Sequence, residues 1–243
     1  MFYGGYGYYG GYGNSADRGY MFWQILLIAI PFLICLGAQI LVKSRYKKYA
    51  AIGNFRNMTG AQAAAELLRL NGVSGVAIVP TPGTMTDHYD PRNRTIYLSE
   101  GVYNSTSIAA VGIACHEAGH ACQYAEEYFP MKVRAKVIPA AKIGSTIGMP
   151  LCIIGIIFSF SFLFYIGIVL YGLVFVFQFA TLPVEFNASK RALKTIESAG
   201  FLNGDEYKGA KAVLSAAALT YVASMASTLL TILRLLLLSR RRR

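Results

Sequence analysis

Ile143–Val184 reads IGSTIGMPLCIIGIIFSFSFLFYIGIVLYGLVFVFQFATLPV, forty-two residues without one charged side chain. A helix that crosses the roughly 30 Å hydrocarbon core of a bilayer needs about 20 apolar residues. The run is too long for one crossing and the right length for two, joined by a tight turn near Ser159–Ser161. Two crossings return the chain to the side it left. The polar segments before and after the run are therefore expected on one side of the membrane, where they can build one site together.

Composition supports this reading. Hydrophobic residues make up 55% of the 243 and charged ones 14%, with a mean hydropathy of +0.43; a soluble domain carries about a quarter charged residues. Met21–Val42 is a further apolar stretch, about 33 Å long as a helix. Its bases (Lys43, Arg45, Lys47, Lys48) follow the run, whereas a cleavable signal peptide has them in front, so a retained first span is expected. Ala212–Leu233 is free of charge and is followed by Arg234 and Leu235–Leu238. We read residues 212–238 as a fourth span, with Arg234 reaching for the interface.

The net charge of +11 does not imply nucleic acid. Lys132, Arg134, Lys136 and Arg240–Arg243, like the bases after Val42, sit beside apolar runs, where they meet lipid headgroups and orient spans. No basic stripe interleaved with aromatics marks a nucleic-acid surface. The four cysteines, at 35, 115, 122 and 152, have no CxxC spacing, so neither a disulfide framework nor a zinc ribbon is indicated. Cys115 is read as a small buried residue.

The expected organisation is a disordered Tyr/Gly-rich tail over 1–20, a span over 21–42, a polar part over 43–137, a hairpin of two spans over 138–184, a second polar part over 185–211, a span over 212–238 and a basic tail over 239–243. Within the polar part, Thr59-Gly-Ala-Gln62 is a capping-box pattern opening a helix that stops at Asn71-Gly72. Gly75–Pro80 and Arg94–Ser99 read as short strands, with a turn at Asp90–Asn93 before the second. Ser105–Glu127 has helical patterning.

That helix holds His116-Glu117-Ala118-Gly119-His120. Residues four apart on a helix share a face, so both imidazoles can reach one cation, while Glu117 lies one step round, free to take a proton from water. With only three histidines and eight glutamates in the chain, chance gives this arrangement roughly once in a thousand sequences. A catalytic zinc site takes three protein ligands and a water. The third donor is His88 or Glu185.

These residues resemble the neutral zinc metallopeptidases of the YugP type and, more distantly, the HtpX-like membrane proteases. The resemblance runs from Met21 onward and is most specific at Thr86–Pro91, Ile108–Gln123 and Leu182–Ala192. It implies a mainly α polytopic membrane protein with about four transmembrane helices and a small zincin-like α+β catalytic domain. It also implies Zn2+ as cofactor, Glu185 as third ligand and protein as substrate. In the HtpX-like pattern an Asp follows the ligand glutamate; here Asn187 and Ser189 stand in that region.

The expected activity is that of a zinc metalloendopeptidase with Glu117 as general base. His88 or Tyr89 is the candidate oxyanion donor or substrate contact, and Arg191 is placed to stabilise an oxyanion or to hold Glu185. Partners are then a protein or peptide substrate, membrane proteins included, and the bilayer. Lys and Arg near the span ends favour the side bearing 43–137 and 185–211, which makes the catalytic part cytoplasmic. The alternative is an inactive membrane scaffold with a structural zinc.

Overall fold

The computed structural model describes residues 15–240; the remainder of both tails, 1–14 and 241–243, lies outside the described residues. The elements run α1 (Ser15–Ala50), α2 (Gly60–Leu70), β1 (Ala77–Thr81), β2 (His88–Asp90), β3 (Thr95–Ser99), α3 (Glu100–Tyr103), α4 (Ile108–Ala125), α5 (Phe129–Ile143), a π-helical turn (Gly144–Gly148), α6 (Met149–Ile157), α7 (Ser161–Ser198) and α8 (Asp205–Arg240). The protein is mainly helical with one small sheet. Four segments are long and apolar enough to cross a membrane: Gly19–Ala50, Phe129–Ile157, Ser161–Ser198 and Asp205–Ser239. Their outward faces carry large apolar side chains such as Trp23, Phe32, Val169 and Phe179, a surface that suits lipid.

Long helices pack side by side, α1 on α8, α7 on α8, and α5 and α6 on α7. The hairpin turns at Phe158–Phe160, with Ser159 in the left-handed region at φ 57°, close to the expected Ser159–Ser161. Its arms approach through small residues, as membrane helices do: a Cβ on Gly155 would stand 2.5 Å from Phe164 N.

Three boundaries differ from the sequence reading. Helix α1 begins at Ser15, inside the stretch expected to lack structure, because Ser15–Tyr20 continues the helix of the apolar run. The first arm of the hairpin starts at Phe129, and its helical course to Ile157 includes Pro139 and the π-helical turn. Helix α7 passes through Pro183 without a break, so the apolar stretch and the polar stretch carrying Glu185 form one rod. Its 38 residues extend about 57 Å, well beyond a bilayer core.

The polar region folds around α4. Ser107 caps it, its Oγ accepting from Ala110 N at 3.2 Å, and α2 opens with the expected capping box, in which Thr59 and Gln62 exchange hydrogen bonds of 2.9 and 3.2 Å. Leu67 and Leu68 of α2, Ile96 and Leu98 of β3, Ala114 and Cys115 of α4, and Ile196 and Phe201 share one buried cluster. The sheet has order β1-β3-β2, with β1 parallel and β2 antiparallel to β3. Pro80 is tolerated in β1 because that strand is an edge, where a missing N–H interrupts no second ladder. His88–Asp90, read as the approach to a turn, is instead a strand, paired Tyr89 to Ile96. That strand lies against α4.

Helices α4 and α7 cross where a Cβ on Gly119 would lie 2.8 Å from the Ala188 carbonyl oxygen and 3.3 Å from its Cα. Backbone cannot swing aside as a side chain can. Gly119→Val should separate the helices and cost about 1–3 kcal/mol, seen as a lower unfolding temperature of the detergent-solubilised protein. An unchanged transition would show that the helices do not cross there.

Candidate metal centre

His116 and His120 project from the buried α4 towards α7, their ring centroids 4.7 Å apart and their planes at 80°. From α7, Glu185 presents Oε2 to both rings, 3.3 Å from His116 Nε2 and 3.7 Å from His120 Nε2. All three side chains are nearly closed to solvent, at 14, 10 and 4% exposure. A tetrahedral ion with ligands at about 2.0–2.1 Å separates its donor atoms by roughly 3.3–3.4 Å. The His116–Glu185 separation matches that spacing, the His120–Glu185 one is slightly longer, and all three donor atoms lie within 4.8 Å of one another, close enough to share one cation.

Hydrogen bonding around the rings decides which nitrogens carry protons. Gln123 is fully buried, and its Nε2 donates to Val184 O at 2.8 Å and to Asn187 Oδ1 at 2.9 Å. Both amide protons are thereby used, leaving Oε1 to accept from His120 Nδ1 at 3.0 Å. A neutral His120 protonated at Nδ1 keeps a lone pair on Nε2, facing Glu185. Ser189 Oγ stands 3.1 Å from His116 Nδ1 and can fix that ring likewise. Glu185 Oε1 accepts from Arg134 Nη1 at 3.4 Å, but Oε2 is buried without a hydrogen-bond partner among the described residues.

Three electron pairs thus converge with no donor between them. Burial works against a charge on His120, yet the carboxylates of Glu185 and Glu117 outweigh it and hold that imidazole's pKa above its ordinary value. The position favours positive charge, and a divalent cation satisfies all three acceptors where one proton cannot. His116, His120 and Glu185 can hold such an ion.

A cleft of about 660 Å³ lies between β2, α4 and α5 and reaches the three donors. A smaller cavity of about 180 Å³ reaches His116 and Glu185 but not His120. Glu117, His116, Glu185, Asp87 and Tyr221 line both. Glu117 is buried beside the donors without being one of them. Asp87 ties the start of β2 to β3, accepting from Ser99 N at 2.7 Å and Ser99 Oγ at 3.0 Å; burial raises its pKa, and those bonds counter it only in part.

His88 lines the cleft but lies outside the donor set. Its ring stacks on Tyr97 at 4.8 Å, and its Nδ1 is bound to Thr86 O at 2.8 Å. Tyr89 also lines the cleft, edge-on to Tyr124 at 6.1 Å. Arg191, expected at an oxyanion or at Glu185, meets neither cavity. Its guanidinium grips Glu126 at 2.5 and 2.7 Å and Asn187 Oδ1 at 2.7 Å, and that contact lowers the Glu126 pKa. On a continuous helix, six residues turn about 240°, so Arg191 points away from Glu185.

Arg134 takes the place beside Glu185. Sequence reasoning assigned Arg134 to headgroups, missed Tyr221 within a lipid-facing span and passed over Gln123, whose place three residues after His120 was the available signal.

The profile of a family described as "Putative neutral zinc metallopeptidase" matches residues 24–240. The Bacillus subtilis protein named "Putative membrane protease YugP" is 40% identical over 219 residues, covering 90% of this chain and 96% of that one. No solved structure matches. Glu185→Ala should abolish stoichiometric zinc in the purified protein, and His88→Ala should leave it near wild type. The reverse pattern in metal analysis would move the third donor to His88.

Proposed function

The chain belongs to the neutral zinc metallopeptidase family, and from that premise we propose that it is a membrane-embedded endopeptidase cleaving proteins or peptides, membrane proteins among them. One observation carries the reading: His116, His120 and Glu185 converge at the end of an open cleft with Glu117 beside them. The three residues would hold a zinc ion, which when bound would supply Lewis-acid polarisation of the scissile carbonyl and a more acidic water. Glu117 accepts the proton of that water and hands it to the leaving amine. Arg134 keeps the outer oxygen of Glu185 turned away from the other donors. The substrate main chain lies along the free edge of β2, by strand addition, with His88 and Tyr89 as its contacts.

The scaffold alternative fits less well. A structural zinc is closed by four protein ligands, whereas three donors cluster among the described residues and a cleft leads to them. Glu117→Gln keeps size and removes basicity. Zinc content should stay near wild type while cleavage of an unfolded substrate such as casein falls at least about a hundredfold. Equal rates for variant and wild type would exclude Glu117 as the base.

We place the four apolar segments in the bilayer and the catalytic part in the cytoplasm. The support is their exposed apolar faces and the surplus of Lys and Arg near span ends on that side. Single cysteines introduced at Asn57 and Asn203 should resist a membrane-impermeant thiol reagent in intact cells and react after lysis. Labelling of both in intact cells would invert the orientation.

A further inference from the structure

The cavity of about 180 Å³ is a compartment separate in character from the cleft. Part of its wall is apolar, with Val42 of α1, Ile113 of α4, and Val213, Ala217 and Ala218 of α8; the rest is polar, with Asp87, Ser189 and Tyr221 beside His116, Glu117 and Glu185. All three helices belong to the packed frame, so the space is bounded by rigid backbone. It exists because α8 places small residues here; a leucine at 217 would project into it. A space of roughly 150 Å³ takes a benzene-sized guest, so the apolar part of this one has room for a single aliphatic side chain.

We infer that this compartment is the side-chain pocket of the peptidase and selects a leucine-sized aliphatic residue next to the scissile bond. The inference rests on the peptidase reading above. Side chains of an extended peptide alternate between faces. With its carbonyl at the donor set and its backbone along β2, one of the two residues flanking the bond turns towards the cleft, and the other turns beyond the donors, where this compartment lies. An acidic side chain is disfavoured there, because Asp87, Glu117 and Glu185 all line the space and repel it.

The test uses quenched fluorogenic peptides that carry Leu, Phe, Ala or Asp at one position on either side of the bond. The zinc-loaded wild type should prefer Leu to Ala at one of the two positions by about tenfold or more in kcat/KM. Binding of the same peptides to Glu117→Gln, which turns them over at least about a hundredfold more slowly, should follow the same order. Ala217→Leu should flatten the preference with zinc content unchanged. Val213→Ala, which enlarges the space, should shift it from Leu towards Phe and stands in if the first variant does not fold. Equal wild-type rates for all four peptides, or an unshifted preference in both variants, overturns the pocket and leaves the peptidase standing. If the zinc-loaded wild type hydrolyses no peptide, the peptidase reading falls and the pocket falls with it.

Discussion

The structure depends on three acceptor atoms forced together out of water. Helix α4 presents two imidazole nitrogens and α7 one carboxylate oxygen, and Gly119 lets the two helices come close enough for 3.3 and 3.7 Å separations. Three lone pairs at that distance in a buried place repel one another unless a cation lies among them. The surroundings fix where the His120 proton sits: both amide protons of Gln123 are committed elsewhere, so His120 must donate through Nδ1. Partners that orient a metal-binding imidazole in this way typically change metal affinity ten- to a hundredfold. Of Asn187 and Ser189, which occupy the region where the HtpX-like pattern has an acid, Asn187 acts one step further out, by positioning the glutamine, and Ser189 meets His116 directly.

Continuity of α7 gives the site its relation to the membrane. One rod carries both an apolar membrane-length stretch and Glu185, so the carboxylate is fixed relative to the hairpin. Helix α8 likewise combines a membrane-length stretch with Tyr221 at the donors and with small residues bounding the second cavity. In the proposed enzyme the apolar helices thus serve as walls of the active site as well as an anchor.

Much of this was legible in the sequence because the signals were local and strong. Charge-free runs mark membrane-length helices, a His-Glu-x-x-His spacing marks one helix face, and Thr59 with Gln62 marks a helix start. An even number of expected crossings puts Glu185 on the side of His116 from the sequence alone. Three residues of β2 are too few for a periodic signal, and their pairing depends on β3. The unbroken course of α7 was hidden because a change from apolar to polar composition looks like a boundary, although nothing in the backbone requires one. Arg191 and Arg134 show the remaining gap: six residues from Glu185 in sequence left Arg191 on another face, while Arg134, fifty-one residues away, reaches the carboxylate. Rotation about a helix and packing between helices are not written in sequence distance.

Zinc K-edge X-ray absorption on the detergent-solubilised protein tests the central claim most directly, because it reads the donor atoms themselves. The expected spectrum has only nitrogen and oxygen neighbours at about 2.0–2.1 Å, with imidazole outer-shell scattering from two histidines. Sulfur at about 2.3 Å, or no imidazole scattering, would contradict a centre built from His116, His120 and Glu185.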